Sequence, residues 1–218
     1  MDLYLKGITI ALGGVPTTVG VSLFAVAFGL LLGMALAFMK RSKNKIIYGI
    51  ANLYVEIVRG TPLLVQVLIF AYGLPKVFDF TWAELVIPCM LVCALNSGAY
   101  MAEVIRGGIN AVGKDQMEAA LSLGMTQKQS MRHIIMPQAI KICIPSLGNE
   151  FITLIKETSI LSYVGTVEIL RKATLWNASS FNTFEAYIGA AIVYLMLTIP
   201  LSMWVKKLEK KFAKGGAA

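Results

Sequence analysis

Long apolar stretches separated by short polar ones set the pattern of this chain. Five of them can cross a bilayer as helices of about 20 residues: residues 19–39, 53–74, 85–104, 147–164 and 186–205. The first is uninterrupted, and its Gly29 and Gly33 have the spacing that lets two helices approach closely. The second carries Glu56 and Arg59 near its start, and the third contains Pro88. The fourth holds Glu150, Lys156 and Glu157, and the fifth includes Pro200. Proline is tolerated inside membrane helices more readily than in soluble ones. The pattern predicts an all-α, polytopic membrane protein: a single transmembrane domain over residues 1–218, with one long polar loop at 107–145.

Composition narrows the class. Hydrophobic residues are 57% of the chain and charged ones 15%, which excludes an ordinary soluble domain. A net charge of +8 would suggest nucleic acid in a soluble protein; here the placement of the charge decides. Lys40, Arg41, Lys43 and Lys45 follow the first span, Arg106, Lys114, Lys128, Arg132 and Lys141 follow the third, and Lys206, Lys207, Lys210, Lys211 and Lys214 form the tail. The opposite side has only Lys6, Lys76, Arg171 and Lys172. By the positive-inside rule the N-terminus is outside, the C-terminus inside and the 107–145 loop cytoplasmic. The basic tail reads as a topology anchor against anionic headgroups of the membrane lipid, and no nucleic-acid partner is expected. The first apolar run is too long for a signal peptide and its basic cluster follows it, so no cleavable leader is expected.

Smaller features give bland readings. Cys89, Cys93 and Cys143 lie in apolar runs without ligand-spaced His or carboxylates, so no metal site is expected. Trp82, Trp176 and Trp204 fall at span ends, as interfacial aromatics do. His133 belongs to the loop and reads as surface packing.

The cytoplasmic loop has helix signals. Asp115 is placed to cap a helix with Glu118 three residues on; Ala119, Ala120, Leu121 and Leu123 continue it until Gly124 breaks the run. Thr126 can cap a second helix over residues 127–135, which Pro137 ends. Periodicity alone leaves two readings open: a knob presented to a partner, or an amphipathic pair lying on the membrane.

The run Glu118-Ala119-Ala120, with Gly124 six residues after the Glu and Ile134-Ile135-Met136-Pro137 beginning ten after the Gly, resembles the EAA loop of ATP-binding-cassette importer permeases. Met136 stands where that family usually has Leu. Glu56 to Gln66, Ala99 to Ile109 and Gly148 to Ser159 resemble segments of the polar amino-acid uptake subfamily (histidine, glutamine and arginine permeases), so the resemblance covers nearly the whole chain. It implies a bacterial inner-membrane, multi-pass permease that is not itself an enzyme and has no catalytic residues. It also implies partners: a separate ATPase subunit that binds ATP and magnesium, a second permease copy or related permease, and an external amino-acid-binding protein. Glu118, Ala119, Ala120, Gly124 and Pro137 would form the ATPase-coupling surface. The segment from Gly108 to Lys114 has the glycine and lysine spacing of a phosphate-binding loop, but Asp115 stands where Ser or Thr should hold magnesium and an apolar span precedes it. No cofactor is expected in this chain.

A charge near the bilayer centre costs roughly 2.5–3.5 kcal/mol on insertion scales, so it should face protein or a wet cavity. Glu150, Thr153, Leu154 and Glu157 share one helical face; Asn96, Tyr100 and Glu103 form a second stripe. Asn96, Tyr100, Glu150, Thr153 and Glu157 are the candidate substrate-binding residues, with a carboxylate for the ammonium of a polar or cationic amino acid. The alternative is mutual satisfaction within the chain, as in Lys156 with a carboxylate or Glu103 with Arg106. The expected function is ATP-driven amino-acid import by alternating access. The competing function is an ion- or proton-coupled secondary transporter, although five spans without an inverted repeat argue against it.

Overall fold

The structure, a computed structural model, describes residues 1–214 and the side chains through Phe212; Lys214 of the basic tail falls outside the described side chains. It contains eleven α-helices and no strand among those residues. The first apolar region forms α1 (Asp2–Leu12) and α2 (Val15–Met39). Together they span residues 2–39 and begin well before the expected start at 19. Gly13 and Gly14 join the two helices, and the backbone of Gly14 packs so closely on Glu168 and Ile169 that a Cβ has no room.

The second candidate span is not one straight helix. α3 (Lys45–Gly60) ends at Thr61, and Pro62 precedes α4 (Leu63–Leu68), a wide turn at Ile69–Gly73 and α5 (Leu74–Phe78), with a 104° bend between the two halves. Proline lacks the backbone donor and pushes the residue before it out of the helical region, so Thr61 takes an extended conformation (φ −119°, ψ 144°). Regular apolar content masked this break in the sequence.

α6 (Val86–Ala111) forms the third span as expected. It lies against α2 through the anticipated glycines: a Cβ on Gly29 would meet Ser97, and one on Gly33 would meet Met101. The fourth element is α9 (Met136–Glu157), followed by a tight 3₁₀ segment, Thr158–Val164. It is 22 residues long but carries Lys141, Glu150, Lys156 and Glu157. α10 (Ile169–Ser180) follows, then α11 (Thr183–Lys214), which runs unbroken through Pro200. Among the described residues, Asp2–Met39, Val86–Ala111 and Thr183–Phe212 are long and apolar enough to cross a membrane alone, and the bent pair is a fourth if its halves count together.

Among the described residues four apolar clusters hold these elements, and two of them bear on the site. One joins α2, α4, α6 and α9 around Val21, Val92, Cys93, Leu154 and Leu161. Cys89, Cys93 and Cys143 are free and buried, and the described residues contain no cluster suited to a metal ion. The second core joins α1, α10 and α11 around Ile169, Ala173 and Val193. Trp176 is buried in it (9% exposed), so it packs a helix pair and does not anchor a span end. Glu168 ties this core together. It is fully buried, caps α10 by accepting from the Leu170 and Arg171 backbone N–H groups at 2.8 and 2.6 Å, and accepts from the Tyr194 hydroxyl at 2.6 Å.

Candidate functional site

Two regions carry the residues singled out in the sequence. The first is the loop between α6 and α9. α7 (Lys114–Ser122) starts after Gly113, whose φ of +83° makes it the N-cap; Asp115 lies inside the first turn and no side chain caps the helix. Asp115 therefore complements the helix dipole and does not close the end. At the other end Gly124 (φ +81°) adopts the left-handed conformation, with Met125 N–H donating to Ala120 C=O at 3.1 Å and Gly124 N–H to Leu121 C=O at 2.9 Å. This pair of bonds is a Schellman stop, which consumes the last free carbonyls of the helix.

Thr126 and Gln129 then start α8 (Gln127–Ser130) with a reciprocal capping box, at 2.8 and 3.3 Å. The helix does not end at Pro137. A wide π turn, Met131–Ile135, passes directly into α9, with Met136 N–H bonding five residues back to Met131 C=O. The i→i+5 pattern absorbs the bond that proline cannot make. A continuous helical rod therefore runs from Gln127 to Glu157, with Pro145 inside it.

Within this knob Ala120 is buried, while Glu118, Ala119 and Gly124 are exposed. Leu123, beside the glycine, is 84% exposed. The sequence reading counted Leu123 only as a helix former; its place at the tip of a polar loop is the signal it missed. The segment from Gly108 to Lys114 spans the end of one helix and the start of another, and Gly108 packs on Cys143. That geometry is not a phosphate loop.

The second region lies in the spans. Asn96 is buried (4% exposed) and its Nδ2 donates to Gln66 Oε1 of α4 at 3.1 Å. Gln66 Nε2 in turn donates to Val58 C=O at 2.7 Å and to the carbonyl and hydroxyl oxygens of Thr61 at 3.1 and 2.8 Å. These bonds satisfy the polar groups freed at the break, as an irregular backbone within a membrane requires. One turn on, Tyr100 is partly exposed and carries the Arg59 guanidinium 5.3 Å above its ring. Glu103 is held by Lys40 at 2.7 Å and Arg106 at 2.6 Å, which makes it a tie between α2 and α6.

On α9, Glu150, Thr153 and Glu157 are half-buried. Among the described residues none of the three makes a side-chain hydrogen bond or ion pair; the alternative tie from Lys156 to a carboxylate does not form as an ion pair, although Lys156 lies within electrostatic reach of Glu157. Glu157 lies within electrostatic reach of Glu150 and of Cys93 on α6. Asn96 is engaged with Gln66 and is not hydrogen-bonded to either carboxylate. The arrangement is a helix, α9, with two half-buried acids that have no hydrogen-bonded or ion-paired partner among the described residues, joined through a continuous rod to an exposed, leucine-tipped knob.

Comparison with known proteins agrees with this architecture. Residues 29–214 match the family described as "Binding-protein-dependent transport system inner membrane component". The probable glutamine ABC transporter permease GlnM of Bacillus subtilis (strain 168) is 39% identical over 217 residues, 98% of each chain. The probable amino-acid ABC transporter permease PatM of Vibrio harveyi is 37% identical over 215 residues, 96% of each chain. A crystal structure of an amino acid ABC transporter with histidines superposes with a TM-score of 0.90 at 39% identity, covering 95% of this chain and 96% of that one.

Proposed function

The chain belongs to the binding-protein-dependent transport system inner membrane component family, and from that premise we propose how it moves its substrate. It is a bacterial inner-membrane protein and the permease subunit of an amino-acid ABC transporter, not itself an enzyme, and the family implies an ATPase partner. The substrate is a polar amino acid, in keeping with the glutamine and histidine in the names of its relatives. Its ammonium meets Glu150 or Glu157 at mid-membrane, with Thr153 on the same face. The observation that carries this reading is a pair of half-buried carboxylates on α9, neither hydrogen-bonded nor ion-paired among the described residues.

Glu118, Ala119, Gly124 and Leu123 dock on the ATPase, which holds the ATP and magnesium, while Ala120 packs the knob and Pro137 sits in the rod behind it. Closure of the ATPase dimer pushes the knobs together, and the rod from Gln127 to Glu157 transmits the displacement to the carboxylates. The knob is cytoplasmic and the N-terminus external, as the basic residues argue. A second permease copy or relative completes the pathway, and an external binding protein delivers the amino acid. Reconstituted uptake with the ATPase subunit tests the reading: uptake that proceeds without ATPase, driven by an ion gradient alone, overturns it.

A further inference from the structure

Two adjoining cavities at the basic end of the bundle have no part in the transport path described above. The larger, about 480 Å³, lies between the end of α2, the end of α6 and the base of the knob, and is lined by Arg41, Asn110, Lys114 and Gln127 with no carboxylate. Arg41 donates to Asn110 Oδ1 at 3.4 Å, and neither Arg41 nor Lys114 forms an ion pair among the described residues. The second, about 280 Å³, is a groove between α2, α6 and α9 with only apolar side chains, including Leu30, Met34, Phe38, Ile140 and Leu147. Ile109 lines both, so the cationic pocket and the apolar groove are neighbours that share a wall.

From this adjacency we infer that the chain binds an anionic phospholipid of the inner leaflet, its phosphate on Arg41 and Lys114 and one acyl chain in the groove. Charge and depth both match. From Phe38 back to Leu30 the groove follows α2 for about 12 Å at the helical rise, and half a bilayer core is about 15 Å thick. Two cations without counter-ions sit at the headgroup end, on the side that the basic residues place inside. An acidic side chain of a partner protein would use the pocket but leave the groove bare, so the lipid accounts for more of the surface.

The test uses the full permease assembled with its ATPase subunit, delipidated and titrated with dioleoylphosphatidylglycerol or dioleoylphosphatidylcholine, with bound lipid counted by native mass spectrometry. Phosphatidylglycerol is expected to be retained in preference. Arg41→Gln and Lys114→Gln should each weaken it roughly fivefold, while Lys43→Gln and Lys45→Gln leave it unchanged. Ile140→Trp, at an exposed groove position, should weaken both lipids. The ratio of the two lipids in one sample reads selectivity whatever fraction of a variant folds. Equal retention of both lipids, or equal losses from all four cation variants, overturns the site. Displacement of phosphatidylglycerol by millimolar inorganic phosphate makes it a free-anion pocket and overturns the lipid. Loss of the ATPase subunit from Arg41→Gln or Lys114→Gln, with lipid retention intact, assigns the pocket to an acidic partner surface and overturns it too.

Discussion

The Asn96 amide donates to Gln66 Oε1 at 3.1 Å, joining the middle of α6 to the point where the second span breaks. The same Gln66 holds three acceptors on the other side of the break. Asn96 is therefore part of the scaffold that holds the break, and its effect on transport should pass through Gln66. Side-chain hydrogen bonds between membrane helices average about 0.6 kcal/mol and reach about 1.7 kcal/mol in double-mutant cycles. Gln66→Ala and Asn96→Ala should show a coupling within that range in thermal unfolding of the solubilised protein. Strict additivity of the two losses would rule out the tie.

Gly124 has a φ of +81° and nothing within 4 Å of where a Cβ would stand. The constraint in the free chain is therefore conformational, at about 1–2 kcal/mol for an L-residue in the left-handed region. Gly124→Asn should be tolerated better than Gly124→Val, because asparagine visits that region more readily. Gly124→Val is expected to lower ATP-coupled uptake while the spans insert normally. Equal activity for both variants would show that the backbone turn is not what the ATPase reads.

Leu123 exposes 84% of its surface at the same tip. Burying a leucine side chain contributes roughly 1.5–3 kcal/mol, so Leu123→Ser should weaken binding of the ATPase subunit about tenfold or more without altering the melting of the permease alone. Unchanged binding in a titration of the two purified subunits would remove Leu123 from the docking surface.

Lys40 keeps only 7% of its side chain exposed and rests on Glu103. Removing one member of such a pair strands the other, at a cost of about 3–5 kcal/mol. Glu103→Gln should therefore destabilise the chain more than the double change Lys40→Met with Glu103→Leu, which leaves only Arg106, a side chain 42% exposed and open to water. Thermal unfolding of the two variants decides: if the double variant melts lower, the ion pair contributes more than its desolvation.

Composition and periodicity were enough for the helical class and for α6, and the spacing of Gly29 and Gly33 marked a close helix contact without saying that its partner is α6. The knob was legible in its stop at Gly124 and its start at Thr126. Its cap at Gly113 was not, since Asp115 has the better side chain and only the φ of +83° shows which residue turns the chain. The rod through Pro137 was hidden for a similar reason: proline normally ends a helix, and a π turn that absorbs the missing bond leaves no mark in residue pattern. The break at Thr61–Pro62 lay inside an apolar run, and the hydrogen bonds of Gln66 that make it tolerable are long-range facts. Glu168 went unremarked because a lone acid between spans looks solvated; only the fold shows it fully buried against Tyr194.

Glu150 and Glu157 separate a binding role from a structural one by the sign of two measurements. Both are half-buried on α9 and neither is hydrogen-bonded nor ion-paired among the described residues, so burial of each charge carries a cost that only Lys156, within electrostatic reach of Glu157, reduces. Removing the charge with an isosteric amide should leave the melting temperature unchanged or raise it. If the carboxylate holds the substrate ammonium, the same change removes a hydrogen bond to a charged group, about 1.5–3 kcal/mol, and the KM for uptake should rise roughly 10- to 100-fold. Glue would behave oppositely, with Glu150→Gln and Glu157→Gln lowering the melting temperature and leaving KM near the parent value. A stable variant with normal uptake at both positions would move the substrate contact off α9.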